Sequence, residues 1–267
     1  MTRTDTDQLA LAFARICNAA SGVVMQVYNS DFETRQKSDA SPVTQADEAA
    51  EAIILEALAK TLPGVPILAE ESFEAGIKPS IGSEFLLVDP VDGTKEFINK
   101  NGQFTINIAL ISNRAPIAGA VYAPALNRIF LGGRQAFCGD LEPGSDALET
   151  CLIAANARRF GSEPRTAVMS RSHADEQTLA FAKAEGITET ISAGSSLKFC
   201  MLAEGKADLY PRFGPTMEWD TAAGHAVLNA AGGRVENPDG TPFCYGKVET
   251  GFLNGPFIAR GRVQGRA

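Results

Sequence analysis

The sequence has few of the residues on which several large protein classes depend. Its 267 residues include two histidines, one tryptophan and five cysteines, and no two cysteines form a Cys-x-x-Cys pair. An odd number of scattered cysteines argues against a disulfide framework and against a thiolate zinc site. Two histidines leave little material for imidazole metal sites. Carboxylates are therefore the main candidate ligands, and they suit hard cations such as Mg²⁺.

Positive charge is also scarce. Lys and Arg total 24 against 32 Asp and Glu, which gives a formal net charge of −8. This balance argues against nucleic-acid polymers as partners and against a polybasic membrane anchor. No apolar run indicates a membrane span, and Asp5 and Asp7 stand where a signal peptide would begin its apolar stretch. We expect a cytoplasmic protein without an integral membrane segment, with peripheral membrane association left open.

The hydrophobic pattern changes along the chain. Two helices are predicted first, and short apolar strands separated by turn residues follow, which is typical of an antiparallel meander. After the polar stretch 139–150, strands and helices alternate. We therefore expect an α/β protein with an N-terminal α+β lobe over residues 1–145 and a C-terminal α/β lobe over 146–267. The predicted helices are 5–28, 44–62, 175–185, 195–204 and 221–231, and the predicted strands are 66–69, 84–88, 104–111, 117–122, 128–131, 167–169, a strand near 191, and 207–210.

The segment Asp89-Pro-Val-Asp-Gly-Thr94 is the most informative in the chain. An apolar strand brings Asp89 to its carboxyl end, and Asp92 presents a second carboxylate three residues on. The carbonyl of Val91 adds a hard oxygen, and the N–H groups of Gly93 and Thr94 would face an anion at a helix start. These are the parts of a metal-assisted phosphoryl-transfer site. A strand–turn–helix with Asp as a turn former explains the same segment equally well on local grounds.

Two further acidic residues stand at predicted element ends. Glu70 follows a short apolar strand, and Asp220 lies at the start of an alanine-rich helix. Alone, Glu70 would be one of a solvated pair with Glu71, and Asp220 would be a helix cap. Together with Asp89 and Asp92 they provide four carboxylates, a set that suits two or three Mg²⁺ ions.

Three separated blocks resemble those of a known family. AEES (69–72), DPVDGT (89–94) and WDTAAGHAVLNAAGG (219–233) are similar to the signature blocks of the inositol monophosphatase superfamily of Mg²⁺-dependent, lithium-sensitive phosphatases. The wider stretches 86–111 and 194–227 resemble its 3′(2′),5′-bisphosphate nucleotidase branch, the CysQ type. The resemblance implies a layered α/β/α/β/α sandwich with the site between the lobes. Residues 37–47 are similar to the family's mobile loop and the start of the helix that follows it. We expect the polar loop 30–41 to be mobile and its Lys37–Asp39 part to close over the metals.

The resemblance further implies roles for individual residues. The implied ligands of a first ion are Glu70, Asp89, the Val91 carbonyl and Thr94, those of a second are Asp89, Asp92 and Asp220, and a third, weaker ion would depend on Glu70. Thr94 and Asp47 would orient and deprotonate the attacking water. No covalent phospho-enzyme is implied, and the sequence shows no nucleophile–histidine arrangement.

Substrate contacts are expected from the second lobe as well. Gly194 and Ser195 would receive the sugar, and Lys198 and Arg212 would receive a second phosphate or the nucleotide. The full set of expected substrate contacts is Asp92, Gly93, Thr94, Gly194, Ser195, Ser196, Lys198, Arg212 and Asp220. The alternative is that the two serines cap a helix and that both cations are solvated. Residues 170–173 are a further candidate rim, Trp219 is expected to pack beneath the site, and both histidines are expected to be structural.

The leading hypothesis is an enzyme that hydrolyses adenosine 3′,5′-bisphosphate to AMP and phosphate, with the 3′-phosphoadenylyl sulfate form as a related substrate. By analogy with the family, this activity would serve sulfate assimilation. An inositol-1-phosphate phosphatase is the main alternative, and a sugar-bisphosphate phosphatase is a weaker one. A non-catalytic, metal-dependent binding protein is a third. We expect a phosphorylated small molecule as partner and a monomer or homodimer.

Overall fold

A computed structural model describes residues 5–31, 34–36, 42–161, 163–170 and 175–262, with the backbone alone for 34–36 and 42–44. The helices are α1 (Thr6–Tyr28), α2 (Gln45–Thr61), α3 (Glu70–Glu74), α4 (Thr94–Ile98), α5 (Leu148–Cys151), α6 (Glu176–Ala184), α7 (Leu197–Ala203) and α8 (Glu218–Ala230), and 3-10 turns lie at Pro124–Leu126 and Val248–Thr250. The strands are β1 (Thr34–Gln36), β2 (Pro42–Thr44), β3 (Ile67–Ala69), β4 (Glu84–Asp92), β5 (Thr105–Ser112), β6 (Ala115–Ala123), β7 (Arg128–Gly132), β8 (Ala136–Asp140), β9 (Ile153–Ala154), β10 (Thr166–Met169), β11 (Glu189–Ser192), β12 (Leu209–Arg212), β13 (Thr216–Met217), β14 (Arg234–Glu236), β15 (Leu253–Asn254) and β16 (Phe257–Arg260).

Seven strands form the larger sheet, in the spatial order β3-β4-β5-β6-β7-β8-β9. β3 and β4 run parallel, and each later neighbouring pair is antiparallel. The predicted meander is therefore confirmed. Strands β8 and β9 were missing from the prediction because one contains glycine and the other has only two residues, so neither shows a clear apolar alternation.

Five strands form the smaller sheet, in the order β11-β10-β12-β16-β14. β10 lies parallel to both β11 and β12, and β16 lies antiparallel to β12 and β14. Two short antiparallel ladders, β1-β2 and β13-β15, complete the described strands. The alternation of strands and helices predicted for the second half of the chain is present in this sheet.

Alternate residues of the larger sheet face two different cores, as the two-residue period of a strand requires. Leu86 and Val88 of β4 pack with α1 and α2, whereas Phe85 and Leu87 pack with α7 and α8. The second core continues to the smaller sheet, whose other face packs against α6. The order of layers is α1/α2, larger sheet, α7/α8, smaller sheet, α6. This confirms the predicted α/β/α/β/α architecture.

Helix α1 corrects one expectation. It is long and apolar enough to cross a membrane by length and composition, with a mean hydropathy of 1.4 over an 18-residue window. In the structure its apolar face, which includes Leu9, Phe13 and Val24, is buried against α2 and the larger sheet. A core helix meets the same criteria, so this helix is weak evidence for a span.

The predicted lobe boundary at residue 145 stays a prediction. The polar stretch around it connects β8 to β9, which are neighbours in the larger sheet. Residues 37–41 of the predicted mobile loop, with Lys37, Asp39 and Ser41, and the candidate rim residues 171–173 lie outside the described residues.

Candidate active site

The end of β4 is irregular where the two predicted carboxylates emerge. Its pairing with β5 is regular up to Asp89 and shifts register before Asp92, so Pro90 and Val91 form a bulge. Asp89 Oδ1 accepts a hydrogen bond from the Val91 N–H at 3.1 Å. β4 therefore continues four residues further than predicted. Because the bulge lies between Asp89 and Asp92, the carboxylates of these two residues have different neighbours although both belong to β4.

Gly93 follows with a φ of 93°, a left-handed conformation that favours glycine. This turn starts α4 at Thr94, whose hydroxyl donates to the Val91 carbonyl at 3.5 Å. The strand–turn–helix that the sequence allowed is thus present. It holds the Val91 carbonyl and the Thr94 hydroxyl next to each other, as the implied ligand set requires.

Asp92 is held by donors from two layers of the fold. Its Oδ2 accepts from the Ser196 N–H at 2.6 Å, from the Asn107 amide at 3.3 Å and from the Thr105 hydroxyl at 3.4 Å. Ser196 stands directly before α7, while Asn107 and Thr105 belong to β5. The orientation of this carboxylate is therefore fixed by the packing of α7 on the larger sheet.

Asp220 lies in the first turn of α8, which begins three residues earlier than predicted. Its Oδ2 accepts from the Met217 N–H at 2.8 Å. This bond satisfies one of the free N–H groups at the helix start, so the expected capping role is present. Capping also holds the carboxylate at the end of the helix that faces the cavity.

The acidic side chains affect one another electrostatically. Desolvation raises the pKa of Asp92 to about 6, against the positive charge of Lys198 and the Ser196 N–H, and the negative charge of Glu70 raises it further. The pKa of Asp220 lies well above its ordinary value through desolvation first and the charges of Asp92 and Glu70 next. These three carboxylates therefore share one neighbourhood, although they come from three separate elements.

Glu70 begins α3, whose start is held by a residue of α2. The Glu51 carboxylate accepts from the N–H groups of Glu71 and Ser72, both at 2.8 Å, and from the Ser72 hydroxyl. Ala69, at the cap position, supplies no side-chain bond. Glu51 thus takes the place of a local N-cap and fixes the helix turn that carries Glu70.

The donor set fits a hard divalent cation in its chemistry. Asp92 and Asp220 are half-buried, and nearby negative charges contribute to the raised pKa of each, so a bound cation would remove that repulsion. Within the described ranges, no group of three acidic, histidine or cysteine side chains could hold a metal ion as it stands. The ligand roles of Glu70, Asp89, Val91, Asp92 and Asp220 therefore stay predictions.

A cavity of about 240 Å³ lies beside Asp92 and Asp220. It is lined by Asp92, Gly93, Thr94, Lys95, Glu96, Ser170, Gly194, Ser195, Lys198, Phe199, Tyr210, Arg212, Thr216, Asp220 and Thr221. The structure thus brings eight of the nine predicted substrate residues to one cavity. The ninth, Ser196, is buried behind it, where its N–H and hydroxyl bond to Asp92 and Asp220.

Lys198 and Arg212 form the cationic side of the cavity. They are only 5% and 9% exposed, so the alternative that they are ordinary solvated cations is wrong. Lys198 Nζ donates to the Ser195 carbonyl at 2.6 Å, and Arg212 donates to the carbonyls of Gly214 and Pro215. Desolvation lowers the pKa of Lys198 to about 8, and the charge of Asp92 counteracts this effect.

Besides Ser196, four predicted residues lie outside the cavity lining, and one of them, Val91, is buried at the bulge of β4. Glu70 is half-buried at the start of α3, and Asp89 is buried at the bulge. Asp47 is buried in the first turn of α2, which packs against β4. Its proposed pairing with Thr94 stays a prediction. Trp219 is buried and packs on Phe73, as expected for a residue beneath the site.

Sequence reasoning missed the residues that support the carboxylates, above all Asn107, Thr105 and Glu51. One signal was available, because Asn107 interrupts the apolar run of β5 and a lone amide there must bond to something. Glu51 gave no such signal, since an acidic residue in a helix is usually exposed. The cavity residues Glu96 and Phe199 were also not predicted.

Comparison with known protein families shows the family to which the chain belongs. The sequence model described as the inositol monophosphatase family matches residues 5–259. The chain belongs to this family. Its members are metal-dependent phosphatases, which agrees with carboxylates beside a cavity that has a cationic wall.

Among curated relatives, the 3′(2′),5′-bisphosphate nucleotidase CysQ of Escherichia coli (strain K12) is 43% identical over 91% of this chain and 96% of its own length. CysQ of Buchnera aphidicola is 37% identical over 92% of this chain and 91% of its own.

Solved structures agree with this assignment. CysQ from Bacteroides thetaiotaomicron, described as a bacterial member of the inositol monophosphatase family, superposes with a TM-score of 0.79 at 35% identity, over 96% of this chain and 98% of its own. An inositol monophosphatase from Zymomonas mobilis superposes with a TM-score of 0.75 at 21% identity, over 97% and 95%. The second likeness shows the fold alone.

Proposed function

We propose that the protein is a Mg²⁺-dependent phosphatase that removes the 3′-phosphate of adenosine 3′,5′-bisphosphate to give AMP and phosphate. The relatives named as bisphosphate nucleotidases support the substrate class. The observation that carries the proposal is one cavity lined both by carboxylates, Asp92 and Asp220, and by buried cations, Lys198 and Arg212. A substrate with two phosphates suits such a cavity, since one phosphate can be cleaved while the other is bound.

The carboxylate side would hold the metal. Glu70, Asp89, Asp92 and Asp220, with the Val91 carbonyl, supply the oxygen donors that Mg²⁺ prefers. When bound, Mg²⁺ would lower the pKa of water and stabilise negative charge on the reacting phosphate. In the chain itself, the left-handed turn at Gly93 begins α4 at the cavity lining, where the N–H groups of Gly93 and Thr94 would face the reacting phosphate. The site would then attract a polyanion only after its own negative charge is compensated.

The reaction needs no covalent enzyme intermediate. A water oxygen attacks phosphorus, the bond from phosphorus to the ribose 3′ oxygen breaks, and that oxygen takes a proton from solvent water. Thr94 and Asp47 would orient the water and accept its proton. Support for Thr94 comes from its position at the cavity wall, next to Asp92 and Gly93.

The cationic side would bind the second phosphate. Arg212 carries a planar guanidinium that can pair with two phosphate oxygens, and Lys198 adds a buried positive charge. Gly194 and Ser195 also line the cavity and would contact the sugar. Hydrolysis of the phosphoadenylyl sulfate form, inhibition by Li⁺, a role in sulfate assimilation and a cytoplasmic location are part of the same proposal.

The test is phosphate release from purified protein with three substrates, adenosine 3′,5′-bisphosphate, inositol-1-phosphate and fructose-1,6-bisphosphate, each with Mg²⁺ and with EDTA. We expect a wide preference for the adenosine bisphosphate in kcat/KM and no release in EDTA. Preference for inositol-1-phosphate would replace the proposed substrate with the main alternative. Binding of the substrates without any phosphate release would instead indicate the non-catalytic binding protein.

A further inference from the structure

Asn107 and Ser196 form a closed ring of hydrogen bonds with Asp92. The Asn107 amide nitrogen donates to Asp92 Oδ2 at 3.3 Å and to Ser196 Oγ at 3.1 Å. The Ser196 N–H donates to the same Asp92 oxygen at 2.6 Å. The ring extends to the other cavity carboxylate residue, because Ser196 Oγ donates to the main-chain carbonyl of Asp220 at 2.7 Å.

The chemistry of the groups determines the direction of each bond. A serine hydroxyl has one hydrogen, and here it goes to the Asp220 carbonyl, so Ser196 Oγ accepts from Asn107. Both N–H bonds of the Asn107 amide are then used. A flipped amide would place Oδ1 against the Asp92 carboxylate, which excludes that orientation.

The other end of the Asn107 amide is costly to bury. Asn107 is 1% exposed, and its Oδ1 has no hydrogen-bond partner in the described part of the chain. An apolar side chain of similar size at this position of β5 would avoid that cost. The two N–H donors are therefore the feature that distinguishes asparagine from a better core residue here.

We propose that Asn107 and Ser196 are positioning residues that fix Asp92 relative to Asp220 for binding of a divalent cation. The proposal rests on the metal-dependent function proposed above. The elements concerned, β4, β5 and the α7–α8 pair, belong to two different layers that pack on each other, and these bonds link the Asp92 carboxylate of one layer to the Ser196 and Asp220 main chain of the other. Neither Asn107 nor Ser196 lines the cavity, so both act through the carboxylates and not on the substrate.

The test measures cation binding without turnover. Mn²⁺ binding to the metal-stripped full-length chain is followed by electron paramagnetic resonance for the wild type, Asn107→Ala and Ser196→Ala. We expect the Mn²⁺ dissociation constant to rise about 10- to 100-fold in each variant, the effect typical of residues that orient metal ligands. The KM for the bisphosphate at saturating metal should change less than about threefold, because no substrate contact is removed.

Asn18→Ala is the matched control. Asn18 of α1 also makes two hydrogen bonds, to the Ser145 carbonyl and the Gly144 N–H, both at 2.9 Å, and it lies outside the cavity lining. Its loss should lower the melting temperature without changing the Mn²⁺ dissociation constant. An equal loss of Mn²⁺ affinity in Asn18→Ala and Asn107→Ala would mean that general destabilisation, and not positioning, is responsible.

A double variant shows whether Asn107 and Ser196 affect Mn²⁺ binding jointly or independently. If Asn107 and Ser196 act as one ring, Asn107→Ala/Ser196→Ala should bind Mn²⁺ about as weakly as the weaker single variant. Folded single variants that bind Mn²⁺ within twofold of the wild type would overturn the proposal. If Asn107→Ala does not fold, the Mn²⁺ affinity of Ser196→Ala alone tests the proposal, since this variant loses only one hydroxyl.

The same measurements separate this proposal from the proposed function. A wild type that binds Mn²⁺ but releases no phosphate from the bisphosphate would refute the substrate and leave the positioning role standing. A wild type that binds no Mn²⁺ would overturn both.

Discussion

The backbone N–H of Ser196 donates to Oδ2 of Asp92 at 2.6 Å, although the two residues are 104 positions apart in the chain. The bond joins the end of β4 in the larger sheet to the start of α7 in the adjacent helical layer. A parallel bond lies beside it, from the Gly194 N–H to Gln103 Oε1 at 3.0 Å. These contacts tie the turn before α7, which includes the cavity residue Gly194, to the larger sheet.

Replacement of Asp92 by asparagine should abolish turnover. Asparagine keeps the size of the side chain but removes the negative charge that the proposed metal site needs. We expect phosphate release from adenosine 3′,5′-bisphosphate to fall at least about 10²-fold at saturating Mg²⁺, with an unchanged circular dichroism spectrum. Asp146→Asn, at an exposed position, is the control and should retain activity. Activity close to the wild type in Asp92→Asn would refute the assignment of the site.

Replacement of Lys198 by glutamine should weaken binding of the second phosphate. Lys198 is buried at the cavity wall, and glutamine retains an N–H donor but no charge. The KM for the adenosine bisphosphate should rise about tenfold, the cost of one charge-assisted contact, while the KM for a monophosphate changes less. Steady-state kinetics with both substrates measures this difference. Lys206→Gln, at a half-exposed site, is the control, and equal effects on both substrates would argue against the proposed role.

Replacement of Glu51 by glutamine should loosen the start of α3. One oxygen that accepts from the backbone N–H groups of Glu71 or Ser72 becomes a donor, so one N–H loses its partner. The free energy of unfolding in urea should fall by about 1–2 kcal/mol, as for the loss of a helix N-cap. Glu56→Gln in the same helix removes only an exposed pair with Lys60 and should cost no more than about 0.5 kcal/mol. Similar losses in both variants would contradict the capping role.

His225 should make the protein less stable in acid. Desolvation first, and the charge of Lys247 next, lower its pKa from 6.5 to about 3. A group with a lowered pKa binds protons more readily in the unfolded chain, so the stability is present above pH 6.5 and is lost as the pH falls toward 3. Between pH 6.5 and 5 the loss from this group should reach about 2 kcal/mol.

The measurement is the free energy of unfolding in urea at pH 5 and pH 6.5 for the wild type and His225→Gln. Glutamine can still bond to the Tyr245 hydroxyl, which lies 3.0 Å from His225 Nδ1 in the wild type, but it does not titrate. The variant should therefore lose less stability between the two pH values. Identical losses would show that His225 does not carry this pH dependence.

Local pattern was sufficient for most of the elements. Strands β4, β5 and β6 show apolar runs, and α1 shows apolar residues at helical spacing. These patterns depend only on residues close in sequence, so the positions of the elements could be predicted within a few residues. The extension of β4 to Asp92 could not, because a bulge at Pro90 and Val91 depends on the pairing with β5. The early start of α8 likewise depends on Asp220 bonding to the Met217 N–H.

Residue types and their order along the chain were sufficient to predict the α/β class, the acidic blocks and the family. Tertiary structure decided how the blocks meet. It buries Lys198 and Arg212, which short-range pattern could equally have left in solvent, and it joins Asp92 to Ser196 and Asn107. The physical reason is that burial, desolvation and hydrogen bonds between distant residues arise only when the layers pack, so the charge state and orientation of the carboxylates are properties of the whole fold.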